Sequence, residues 1–158
     1  MSRFDQVAPD ALFKQLEGAS PDDSLPSVAT LLSAVKFNAD GLIPAIAQQH
    51  DSKEVLMMAW MNREALEETL TTRRVCYFSR SRQTLWRKGE SSGQQQQLVS
   101  AALDCDADTV LLYVDQMGPA CHTGRRSCFY IAIDEHQAVI TSTPLIDPEQ
   151  LYGKKHES

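Results

Sequence analysis

The chain has 158 residues, 42% hydrophobic and 23% charged, with a formal net charge of −6. That length gives room for one domain able to bury its own core without crosslinks, and no apolar run approaches the roughly 20 residues that span a bilayer. The negative balance repels polyphosphate, so no nucleic-acid partner and no membrane are expected, and any phosphorylated ligand should be small and met by a local basic patch.

The opening MSRFDQVAPDALFKQLEG has no basic stretch leading into an apolar core and no small-residue cleavage site, so a cytoplasmic location is expected. There Cys76, Cys105, Cys121 and Cys128 stay reduced, which favours metal ligation or catalysis over disulfides. Residues 1–33 carry Pro9, Gly18, Pro21 and Pro26 among weakly periodic apolar segments and read as an extension, with a helix around Asp10 to Leu16. Val28 to Phe37 suits a second short helix, and Asn38-Ala39-Asp40-Gly41 a turn.

From there the pattern predicts a domain over 34–135 and a tail over 136–158. Leu42 to Gln49 and Glu54 to Met61 read as a hairpin about Asp51-Ser52-Lys53. The run Val55 to Trp60 is apolar on both faces, so it should be covered twice, by the fold or by a second subunit. Asn62 is placed to cap a helix with Glu64, Glu67 and Glu68 early in it and Ala65, Leu66, Thr69 and Leu70 inward. Val75 to Ser79 returns to a strand, and Arg80 to Gln97 turns polar, basic and glycine-containing, the character of a functional loop. Leu98 to Leu103, Thr109 to Val114 and Cys128 to Ile133 complete about six strands. Helices are too few for βαβ crossovers, so the class is α+β with a mainly antiparallel sheet.

Asp104, Asp106 and Asp108 alternate, so in an extended segment they share one face and Cys105 points to the other. The carboxylates suit Mg²⁺ and the thiolate Zn²⁺. A solvated acidic turn is the bland alternative, and an EF-hand is excluded because Thr109 stands where its glycine belongs. Cys121 and Cys128 flank a polar loop with His122 and Gly124. With Cys105 they make three spread ligands and no C-x-x-C pair, the pattern of a catalytic zinc with an open position. Two alternatives stay open: buried free cysteines, and a closed structural site with His122 as fourth ligand. Cys76 reads as a core residue. His122 alone among the histidines adjoins a candidate ligand and is placed for proton transfer. Arg80, Arg82, Arg87 and Lys88, and again Arg125 and Arg126, form basic clusters for small phosphates or merely a solvated face. Trp86 could stack on a purine or anchor its loop.

The segments GLIPAIAQ, EVLMMAWMN, SRSR, LWRKGE, LDCDAD and GPACHTGRRSC, in this order over about Lys36 to Tyr130, resemble the phosphoribosyl-AMP cyclohydrolase family. The resemblance implies an obligate homodimer of α+β fold. It implies zinc on Cys105, Cys121 and Cys128, the first given to the site by the partner subunit, and magnesium on Asp104, Asp106 and Asp108. The implied reaction is hydrolysis of the N1–C6 bond in the adenine ring of N1-(5-phosphoribosyl)-AMP by a zinc-activated water, in histidine biosynthesis. His122 would move protons, the basic residues above would meet the two phosphates, and Trp86, Ser91 and Ser92 would join them at the substrate. Two departures stand out. Gln94 occupies a position where the family commonly has histidine, which shifts proton transfer toward His122, and residues 1–33 have no counterpart in the shorter relatives. The short stretch after Tyr130 leaves no room for a fused pyrophosphatase domain, so a monofunctional chain is expected.

Two other functions compete. Zinc nucleobase deaminases also add water to a ring carbon but need H-x-E and P-C-x-x-C, absent here. A non-catalytic zinc-stabilised binding module would need His122 to close the coordination sphere.

Overall fold

In the computed structural model, which describes residues 2–151, the N-terminal stretch forms two short helices. α1 (Pro9–Leu16) begins with proline in its first turn, where no intrahelical N–H bond is lost. α2 (Val28–Ala34) is capped by Ser27, whose side chain accepts from the Thr30 N–H at 3.2 Å. It stops at Ala34 rather than Phe37, because Val35 is already extended and the Lys36 N–H is committed to the Ala107 carbonyl at 2.9 Å. The expected extension is no loose appendage. Phe4, Leu12 and Phe13 are buried and form a small core of their own with Ala34 and Ala107.

The main sheet has the order β2-β1-β6-β5. β1 (Ile43–Gln49) pairs antiparallel with β2 (Val55–Met61) as the hairpin expected, and parallel with β6 (Val110–Gln116). β5 (Gln96–Leu103) closes the far edge antiparallel to β6. Alternation drives the arrangement: Ile43, Ala45, Ala47 and Gln49 of β1 and Val110, Leu112, Val114 and Gln116 of β6 are all buried. Burying each large aliphatic among them contributes about 1.5–3 kcal/mol. The sheet is thus mainly antiparallel, in an α+β fold with few helices, and one parallel pair joins its two central strands.

α3 (Arg63–Thr72) starts as the sequence predicts, with the Asn62 side chain accepting from the Ala65 N–H at 2.8 Å, and it ends where Arg73 turns left-handed at φ 66°. Its Ala65 and Leu66 join Val75, Cys76 and Tyr77 in the main core. The segment Arg80 to Gln97 carries more structure than its polarity suggests. Within it β4 (Thr84–Arg87) pairs with β3 (Cys76–Ser79) and the first residues of β5 lie in the sheet. Leu85 and Trp86 supply apolar contacts that the surrounding charges obscured in the sequence.

The strand expected over Cys128 to Ile133 begins only at Ile131. The backbone N–H of Cys128 donates to Leu56 O at 2.7 Å and the Ser127 hydroxyl to Val55 O at 2.7 Å, which ties this end of the loop to β2. Beyond it β7 (Ile131–Ile133) and β8 (Ala138–Ile140), the latter inside the expected tail, form a separate ribbon. Ile131, Ile133, Val139 and Ile140 are all exposed on it, and Phe129 beside it. On β2, Val55 and Met58 are also exposed, so the double cover expected for this strand is incomplete within one chain. No helix among the described residues is long and apolar enough to cross a membrane.

Candidate active site

Two sets of side chains that could hold a metal ion emerge. The first is the turn after β5. Its carboxylates converge, but not through extended alternation: the Ala107 N–H donates to Asp104 O at 3.1 Å and the Asp108 N–H to Asp104 Oδ1 at 3.0 Å, with Ala107 left-handed at φ 59°. One ligand oxygen from each of Asp104, Asp106 and Asp108 then lies within 4.8 Å of the others, all exposed. Crowding divides their acidities. Burial works to raise Asp104 but is outweighed by hydrogen bonds from Asp108 and Asp106, leaving it below the usual carboxylate range. Hydrogen bonds to Asp104 and Asp106 and their charge raise Asp108. Three carboxylate oxygens this close form a hard donor set, and a divalent cation would relieve their mutual repulsion.

The second set is the loop between β6 and β7. Its hairpin-like path is fixed by the Ala120 N–H to Arg126 O at 3.0 Å and the Cys121 N–H to Arg125 O at 3.1 Å. Cys121 and Cys128 are thereby brought into side-chain contact. Cys128 is exposed as a residue, yet its thiol is desolvated: burial first, then Cys121, pushes it up to about 12 against the pull of Lys88. A soft cation would reverse that preference by stabilising both thiolates, so the pair fits zinc. Thr123 donates its hydroxyl to Cys121 Sγ at 3.0 Å, a contact that orients the sulfur and that only the turn geometry reveals. Gly124, at φ 86°, sits against the Ile146 carbonyl with no space for a Cβ, and its own carbonyl accepts from the Leu145 N–H at 2.8 Å. The expected tail therefore straps the loop.

Among the described residues the acidic trio is the one group of three metal donors this close together. Cys105 does not join Cys121 and Cys128 at that range. It lines an apolar cavity instead, with Asp104. Nor does His122 complete such a trio with the two cysteines; it is exposed and follows Cys121 directly in the chain. Cys76 is fully buried beneath α3, its N–H bonded to Thr69 Oγ1 at 2.9 Å.

The basic residues divide. Lys88 is buried and donates to Ala120 O at 2.6 Å, and burial lowers its pKa against the attraction of Cys128 and Cys121. Arg87 makes a two-pronged pair with Glu68 at 2.8 and 2.6 Å. Arg126 donates to Gln116 O, Gly118 O and Gln49 Oε1 at 2.7–2.9 Å, and Arg125 to Ser142 O while lying 4.0 Å over the Tyr130 ring. Arg80 and Arg82 are exposed and make no ion pair among the described residues, although Arg80 lies 5.0 Å over the Trp60 ring. Trp86 is half-buried against Tyr77, 5.0 Å between ring centroids. Ser91 is exposed, whereas Ser92 is half-buried and accepts from the Gln94 N–H at 3.2 Å. The Gln94 side chain lies directly against Gly118, which opens the cysteine loop.

A family model described as phosphoribosyl-AMP cyclohydrolase matches residues 57–130, a span holding both donor sets. The phosphoribosyl-AMP cyclohydrolase of Chromohalobacter salexigens is 66% identical over 143 residues, covering 90% of this chain and 97% of the relative. The chain belongs to the phosphoribosyl-AMP cyclohydrolase family. The cyclohydrolases of Alkalilimnicola ehrlichii (66% over 145 residues, 90% of this chain and all of the relative) and Rhodospirillum rubrum (62% over 136, 85% and 95%) agree. A match over nine-tenths of the chain leaves fewer residues uncovered than the N-terminal stretch contains. These phosphoribosyl-AMP cyclohydrolases therefore share at least part of the N-terminal segment.

Proposed function

We propose that this chain hydrolyses the N1–C6 bond in the adenine ring of N1-(5-phosphoribosyl)-AMP, a step of histidine biosynthesis, as a homodimer using zinc and magnesium. The observation that carries the activity is the 66% identity to a cyclohydrolase across 97% of that protein's length. The two donor sets supply a chemistry that fits it. Zinc belongs on Cys121 and Cys128, with Cys105 of the partner subunit as third ligand, and magnesium on Asp104, Asp106 and Asp108. When bound, zinc provides the Lewis acidity that lets water attack at neutral pH.

The chain's own residues do the rest. N1 substitution leaves C6 electron-poor, so a proton must leave the attacking water and another must reach N1 as the ring opens. His122, exposed beside Cys121, is the group placed to carry them. Gln94 holds Gly118 and carries no ionisable proton. Of these basic residues, Arg80 and Arg82 are left available for the substrate's phosphates, while Arg87, Lys88, Arg125 and Arg126 are engaged within the chain. Separation of Cys105 from the other two cysteines, and the exposed apolar ribbon of β7 and β8, support a second copy. Four unpaired cysteines suit the reducing cytoplasm. The test is the absorbance change on ring opening when purified full-length protein with zinc and magnesium is given phosphoribosyl-AMP. Turnover is expected, and a zinc-loaded, folded dimer without it would leave the non-catalytic module as the better reading.

A further inference from the structure

In Asp104-Cys105-Asp106-Ala107-Asp108 the two interleaved residues both meet the N-terminal segment. Ala107 is completely buried, in a cluster with Phe4, Leu12, Phe13 and Ala34. Apart from Ala107 and the partly buried Leu103, every member of that cluster comes from the first 34 residues. Cys105 lines a cavity of about 430 Å³ whose lining includes Phe13, Leu16, Leu31 and Leu32 of the N-terminal segment and Leu66 and Leu70 of α3. Phe13 touches both features.

The conformation at Ala107 needs external support. A residue with a Cβ is disfavoured in the left-handed region, and alanine has no side-chain polar group with which to stabilise itself there. Yet Ala107 adopts φ 59°, and the Asp108 N–H reaches back to Asp104 Oδ1 only because the chain reverses at that point. The Lys36 N–H to Ala107 O bond at 2.9 Å holds the other side of the same peptide unit.

We infer that the N-terminal segment, through Leu12, Phe13 and the Lys36 backbone, is a positioning clamp that holds Ala107 left-handed and so brings Asp104, Asp106 and Asp108 together to take a divalent cation. The inference rests on the cation role proposed above for these carboxylates. It makes Leu12 and Phe13 positioning residues that touch neither metal nor substrate.

Binding of Mn²⁺, a spectroscopic stand-in for Mg²⁺, to the full-length zinc-loaded protein by electron paramagnetic resonance tests the clamp. Phe13→Ala and Leu12→Ala should each weaken Mn²⁺ binding at least about tenfold, the usual cost of removing support from behind metal ligands. Met61→Ala, which truncates a fully buried residue of the main core, controls for general loss of stability and should leave the affinity within about twofold. Should the alanine variants not fold, Phe13→Leu and Leu12→Val are read in their place and should still weaken binding measurably. Unchanged affinity in folded Phe13 and Leu12 variants would overturn the clamp while leaving the cation role intact. Asp106→Asn separates the two: if it binds Mn²⁺ as well as the unaltered chain, the cation role is wrong and the clamp falls with it.

Discussion

Replacing Arg126 by alanine should damage the protein by loosening the cysteine loop rather than by removing a phosphate ligand. Its guanidinium donates to Gln116 O at 2.8 Å, Gly118 O at 2.7 Å and Gln49 Oε1 at 2.9 Å, joining β1, the end of β6 and the start of the loop. Hydrogen bonds from a charged donor contribute about 1.5–3 kcal/mol each, but the full sum is not lost here. Gln49 Oε1 keeps the Gln116 N–H at 2.9 Å, and Gly118 is exposed, so water can replace its partner. Only Gln116 O, on a buried residue, is left to bear most of the loss, giving about 1–3 kcal/mol. Urea unfolding of the variant should show that loss with the slope unchanged, and turnover should fall with little change in KM. A variant that keeps full stability and suffers only a raised KM would refute the reasoning and return Arg126 to the phosphates.

Cys121→Ser and Cys128→Ser should each abolish turnover and lower zinc content by metal analysis, because a hydroxyl is a poor substitute for thiolate, whereas Cys76→Ser should retain zinc. His122→Asn should keep its zinc and lose roughly 10²- to 10⁴-fold in turnover, the range for a general acid-base group; loss of zinc would instead favour His122 as a structural ligand. The hydrogen bond from Arg87, despite opposing desolvation, holds Glu68 below the usual carboxylate range. Its contribution to stability is present above the unfolded glutamate value near 4.3 and is lost as pH falls through the lowered folded value. Glu68→Gln should therefore flatten the fall of melting temperature between about pH 5 and 3, and an unchanged acid limb would count against the pair.

Elements with a local cause were legible from sequence. Asn62 capping α3, the β1–β2 hairpin, and the alternation of β6 all follow from neighbouring residues. Elements whose cause is distant were not. β4 is hidden because Arg82, Arg87 and Lys88 make its segment look like a loop, and only pairing with β3 and contact with Tyr77 reveal the strand. The late start of β7 depends on hydrogen bonds from Ser127 and Cys128 to β2, over 70 residues away in the chain. At the site, residue chemistry singled out candidate donors, but their disposition was another matter. The three carboxylates meet through a left-handed Ala107 that no spacing rule foretells, and the cations that look alike in sequence divide into engaged and available only in three dimensions.

Whether zinc is shared between two copies can be decided by mixing a Cys105→Ser chain with a Cys121→Ser chain under conditions that permit subunit exchange and measuring phosphoribosyl-AMP turnover. Each mutant homodimer carries two broken sites if the ligands come from both chains. The heterodimer then gathers both lesions into one site and leaves the other whole, so activity should return on mixing, to about half the unaltered level per heterodimer. Verified heterodimers that stay inactive would contradict a site completed by Cys105 of the partner subunit.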